Sequence, residues 1–115
     1  MEQHPAVDQA AYAAMKTTMG EIFTSVIDAF LDYVPTQIAG LDAAIQQADC
    51  ETIFNCAHSI KSSSSSIGAL GLASTAEQIE QLGRKGISAG TEQLYQLLQQ
   101  QFSEAAEFLK AERAA

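Results

Sequence analysis

His58 is the residue with the widest chemical range in the chain. An imidazole can serve as nucleophile, general base or metal ligand. It stands in the stretch AHSIKSSSSSIGALG, residues 57–71, together with Lys61 and five consecutive serines, Ser62 to Ser66. Each use of a histidine makes demands on its surroundings. A metal site needs several converging ligands. Cys50 and Cys56 are the two thiols, without a CxxC spacing, and helical geometry turns Cys56 away from His58. They read as a reduced pair, with no disulfide and no metal. An autonomous enzyme is equally poorly supported: there is no Gly-rich phosphate loop, no Ser-His-Asp spacing and no pair of acids that reads as buried. A histidine kinase needs a nucleotide-binding domain that 115 residues cannot hold. What remains open is either a plain surface histidine or a reactive one displayed with a cation nearby.

That use depends on what presents the ring. A flexible serine linker would have polar, glycine-rich flanks. Here the flanks are apolar and periodic, which favours a helix. At about 100° per residue, Ile53, Ala57, Ile60, Ser64 and Ile67 form one stripe, the core face, with Cys56 beside it. His58 falls on roughly the opposite side with Phe54, Lys61, Ser62 and Ser65. Ser62 and Ser65 keep the surroundings of the ring low, leaving room for another protein. Ser64 takes a small core position, where its hydroxyl is expected to bond back to a carbonyl one turn earlier. Phe54 either tucks against a neighbouring helix or belongs to an apolar docking patch. Lys61 taken alone is a solvated cation.

The rest of the chain supplies further helices. Ala, Gln, Leu and Glu dominate, and strand patterns are nearly absent. Residues 1–7 read as a flexible tail that includes His4, to which no role is assigned. Asp8 is a plausible N-cap for a short helix towards Met15, and Gly20 breaks that pattern. From Glu21 to about Ala48 an apolar stripe predicts one long helix, kinked at Pro35. Asp49 caps the His58 helix, with Glu51 in its first turn, and that helix is expected to stop near Gly68. Leu72, Ala76, Ile79 and Leu82 mark the next helix. It ends at Gly83 and Gly86, with Arg84 and Lys85 suited to a helix C-terminus. Gly90 and Thr91 open the last, whose face is Leu94, Leu97, Leu98, Phe102, Ala105 and Leu109. Short connections favour antiparallel neighbours. The expectation is an all-α fold: a single domain over residues 1–115, an antiparallel up-down four-helix bundle with a short additional N-terminal helix.

The formal charge of −8 argues against nucleic acid or an anionic membrane surface as a partner. No stretch reaches the roughly 18 apolar residues of a membrane helix. The start, MEQHPAVDQ, has no basic region followed by an apolar run, so no signal peptide is expected and a cytoplasmic location is.

These residues resemble the histidine-containing phosphotransfer (HPt) domain of two-component phosphorelays. The family pattern is Ala-His, one residue, an aliphatic, Lys, usually Gly, several small residues, an aliphatic, then Gly. Ala57, His58, Ile60, Lys61, the small run, Ile67 and Gly68 fit that spacing, and Leu72, Ala76 and Ile79 continue it. Upstream, AFLDYVPTQIAGLDAAIQQADCETI is similar to the family's long helix and the acidic start of its active-site helix. The likeness covers the chain from about Gly20 to Gly86. One position departs from it: Ser62 stands where glycine is usual. The added hydroxyl is expected to be tolerated, with slower transfer or narrower partner choice.

The resemblance implies a phosphocarrier without kinase activity of its own. His58 would accept a phosphoryl group from the aspartyl phosphate of a receiver domain, through neutral Nε2, and pass it to another receiver. Lys61 would help hold the phosphoryl group. Family members often place a Gln or Glu on the following helix to orient the ring. Glu80 sits where that residue is expected, with Gln81 and Gln78 as alternatives and a solvated helix acid as the plainer reading. Phe54, Ser62 and Ser65 would contact the partner. Partners would be receiver domains of hybrid histidine kinases and response regulators. No cofactor belongs to this chain, and Mg²⁺ would come from the receiver. The carrier is expected to act as a free-standing monomer. The competing reading is a non-catalytic helical module that docks receiver-like partners through the His58 face.

Overall fold

The structure, a computed structural model, describes residues 6–114. It is all-helical: α1 spans Gln9–Met19, a 3-10 turn Gly20–Ile22, α2 Phe23–Gln46, α3 Cys50–Ser65, α4 Leu70–Arg84 and α5 Thr91–Ala114. Helix α2 packs on α3 and α5, and α4 packs on the same two, so the four long helices close a ring. The connections at 47–49, 66–69 and 85–90 are short, and each reverses the chain. The result is an antiparallel up-down four-helix bundle with α1 lying on α2.

The long helix α2 is continuous through Pro35. Phe23, Ile27, Phe30, Val34, Ile38, Leu41 and Ala44 are buried along one face on both sides of it. Pro35 itself is exposed. Proline removes one backbone donor, and burial of the stripe before and after it holds the helix together.

Helix α3 begins where Asp49 accepts at Oδ1 from the Thr52 amide, 3.2 Å, and at Oδ2 from the Thr52 hydroxyl, 2.7 Å. Those bonds hold the Asp49 carboxyl below its usual range. The core stripe Ile53, Ala57, Ile60, Ser64 and Ile67 has no solvent exposure. The serine run is therefore helical from Ser62 to Ser65 rather than a linker. The helix ends at Ser65, earlier than Gly68, because its last amides turn to tighter partners: Ile67 donates to Ser64 O and Gly68 to Ser65 O. Gly68 then takes φ +83°. Ser64 corrects another expectation: its buried hydroxyl has no hydrogen-bond partner.

The flexible tail expected over residues 1–7 does not include Ala6 and Val7. Residues 1–5, with His4, lie outside the described residues. Ala6 and Val7 are buried in the core. They are fixed by Asp8, whose amide donates to Gly68 O at 2.9 Å and whose side chain caps α1 through the Ala11 amide at 2.9 Å. A Cβ on Gly68 would come within 2.6 Å of the Tyr12 amide nitrogen, so glycine permits both the positive φ and the close approach of α1. Helix α1 runs to Met19, a full turn beyond Met15. Tyr12 packs edge-on against Phe23 and Phe108, sealing this end of the bundle.

Helix α4 starts at Leu70, two residues before Leu72. Leu72, Ala76 and Ile79 are fully buried. Near its end, a Cβ on Gly83 would lie 2.9 Å from the Phe54 amide nitrogen and 3.0 Å from the Cys50 carbonyl. The missing side chain lets the backbones of α3 and α4 meet closely. That approach sets the distance across which groups of the two helices can touch.

Candidate functional site

His58 lies midway along α3, facing away from the core stripe, with its side chain 55% exposed. Directly across the α3–α4 seam, Glu80 of α4 is buried, its side chain 1% exposed. His58 Nδ1 and Glu80 Oε2 are 2.9 Å apart. An ionised carboxylate only accepts, so the proton of this bond sits on Nδ1. In the neutral ring the free lone pair is then on Nε2, across the ring from the buried acid. Among the described residues no protein group bonds Nε2.

A buried carboxylate needs partners, and Glu80 has three. Besides His58, the Lys61 ammonium is 2.6 Å from Oε1, and the Arg84 guanidinium is 3.6 Å from Oε2, one turn further along α4. Burial alone would raise the Glu80 carboxyl. The ammonium of Lys61 and the imidazole of His58 outweigh it and hold the group below the usual glutamate range. Two of the chain's six basic side chains thus converge on one acid beside the exposed histidine.

Phe54 is half-buried, neither swallowed by the core nor lying free on the surface. Its ring stacks on His58, with centroids 6.0 Å apart and 15° between planes. Arg84 lies over the same ring, 5.3 Å from its centroid. Ser62 and Ser65 are exposed beside His58. A depression of about 310 Å³ opens next to them, lined by Lys61, Ser65, Leu70, Glu77 and Gln78 among others. Glu80, not Gln78 or Gln81, holds the ring nitrogen. Lys61 is placed on Glu80, its ammonium against Oε1 rather than free in solvent. Cys50 and Cys56 are free thiols. Burial, then the Asp49 charge, pushes the Cys56 thiol up, the opposite of an activated nucleophile.

Arg84 is the member of this cluster that sequence reading missed. Its place in the last turn of α4 gave it a sufficient role against the helix dipole. Its i,i+4 spacing from Glu80 is the signal that could have found it.

The arrangement is an outward imidazole whose Nδ1 faces a buried carboxylate, flanked by two cations and low side chains. Comparison with known proteins agrees with that geometry. The family model described as Hpt domain matches residues 25–108. Among curated proteins, none matches the chain. Among solved structures, the chain is similar to histidine-containing phosphotransfer protein B (HptB) from Pseudomonas aeruginosa PAO1. The identity is 26%, the TM-score 0.89, and 96% of each chain is covered.

Proposed function

Because the chain belongs to the Hpt domain family, whose members carry phosphoryl groups in phosphorelays, we propose that His58 is its phosphoacceptor. The phosphoryl group comes from the aspartyl phosphate of one receiver domain and goes to the aspartate of another. The observation that carries the proposal is the pairing of His58 Nδ1 with the buried Glu80, which leaves Nε2 outermost on an exposed ring.

In the forward step the Nε2 lone pair attacks phosphorus. The P–O bond to the receiver breaks, and its electron pair leaves on the aspartate. The N–P bond forms, and the ring, still protonated on Nδ1, carries a positive charge facing the Glu80 carboxylate. In the onward step the N–P pair returns to Nε2, so the ring departs as neutral imidazole. Phosphoryl transfer asks mainly for positioning and charge compensation. This chain contributes the held ring, Lys61 as a cation within one turn, and Phe54, Ser62 and Ser65 as contact surface. Mg²⁺ and the remaining charge compensation are the receiver's to supply. The partners are receiver domains of hybrid kinases and response regulators, met by a cytoplasmic monomer whose His58 face is open. No helix among the described residues is long and apolar enough to cross a membrane.

The test is direct labelling. Incubation with a phosphorylated receiver gives an acid-labile, base-stable label on this chain, and His58→Gln abolishes it. A protein that binds receivers yet takes no label from any of them is an interaction module instead.

A further inference from the structure

Arg84 touches both groups that hold the imidazole. Its guanidinium is 3.6 Å from Oε2, the same oxygen that accepts from His58 Nδ1, and 5.3 Å from the centroid of the Phe54 ring stacked on His58. It is also the most exposed of Glu80's partners, its side chain 59% open to solvent. A structural anchor for a buried acid has no need to share the oxygen already engaged by the histidine. We propose that Arg84 is a positioning residue that acts through Glu80 and Phe54 to keep His58 unprotonated, and therefore nucleophilic, at neutral pH.

The argument is electrostatic. An ionised carboxylate 2.9 Å from Nδ1 favours the imidazolium. A ring protonated on both nitrogens has no lone pair to attack with. Glu80 thus aligns the ring but pulls its titration the wrong way for a nucleophile. A cation on the same oxygen offsets that pull without removing the acceptor. The charged groups around this cluster come from the two helices of the seam. From α3 they are Lys61, and Glu51, which lines a surface depression with Phe54 and Arg84. From α4 they are Glu80, Arg84, and Glu77, which lines the depression beside Lys61. Lys61 offsets Glu80 at its other oxygen, so Arg84 is the cation that acts on the oxygen bonded to the ring.

The proposal rests on His58 being the phosphoacceptor, but its first test does not. The His58 ring is titrated by NMR in the full chain as wild type, Arg84→Gln and Arg84→Lys. The expected result is a midpoint raised by at least about half a pH unit in Arg84→Gln, the effect of losing one charge several ångströms away near a protein surface. Arg84→Lys should stay near wild type. The second readout is phosphorylation by a phosphorylated receiver against pH. Arg84→Gln should lose several-fold below pH 7 and little at pH 8, because the loss is of neutral ring rather than of the site. A midpoint that is unchanged or lowered in Arg84→Gln overturns the proposal, as does a rate loss equal at all pH values. A raised midpoint in a protein that takes no label upholds the electrostatic role and rejects the phosphocarrier reading instead.

Discussion

Removing the Glu80 carboxyl should slow phosphorylation of His58 far more than it unfolds the protein. In Glu80→Ala the Nδ1–H donor loses an acceptor at 2.9 Å that is almost wholly shielded from water. A hydrogen bond to a charged group contributes about 1.5–3 kcal/mol. Expressed fully in the transition state, that is roughly a ten- to hundredfold loss of rate. Stability should fall less than the roughly 3–5 kcal/mol of a broken buried ion pair. The orphaned cations can rehydrate, since the Lys61 side chain is already 27% exposed and that of Arg84 59%. A loss of about 1–2 kcal/mol is expected by denaturant titration. The assay is the initial rate of label transfer from a phosphorylated receiver, with helicity checked by circular dichroism. Glu80→Gln keeps an oxygen for Nδ1–H and should recover at least half of the lost rate on a logarithmic scale. A Glu80→Ala rate within twofold of wild type, in a folded protein, refutes the orienting role.

Four further outcomes follow from the same geometry. Because Glu80 titrates below its ordinary value when folded, the stability it contributes is present above the unfolded pKa of about 4.3. It is lost as pH falls through the folded value, so the denaturation difference between wild type and Glu80→Gln should shrink below about pH 4. Ser64→Ala removes a buried hydroxyl without a partner and should stabilise the protein by up to about 1 kcal/mol in thermal or denaturant unfolding. Gly83→Ala forces a methyl to within 2.9 Å of the α3 backbone. It should destabilise by about 1–3 kcal/mol and also slow labelling of His58, because Glu80 is carried away from the ring. Ser62→Gly clears space beside the ring and should speed receiver transfer severalfold, while weakening the exposed helix by about 0.5 kcal/mol.

The bundle was legible because burial leaves a periodic record. Ile53, Ala57, Ile60, Ser64 and Ile67 repeat at helical spacing, and the opposite side of that stripe is where His58 emerges. Asp49 could be read as a cap from its type and place. What escaped was information that lives between segments. Ala6 and Val7 look like tail residues, because nothing local says that Gly68 O awaits the amide of Asp8. Phe54 offered two readings, and only the meeting of α3 and α4 shows its ring shared between His58 and Arg84. Arg84 carried a sufficient local explanation, which hid its tertiary one. Ser64 looked able to satisfy itself, yet its hydroxyl is left without a partner, whereas that of Thr75 reaches the Gly71 carbonyl one turn back.

The docking of α1 against Gly68 has a practical corollary. The stretch matched by the family model, residues 25–108, is narrower than the stretch that closes the hydrophobic interior. A fragment trimmed to those borders forfeits Tyr12 and Phe23, strips cover from Phe108, and leaves Gly68 O without its donor. Excised modules and chimaeras built from this chain should therefore begin no later than Ala6, since a family signature and a mechanically self-sufficient unit have different borders here.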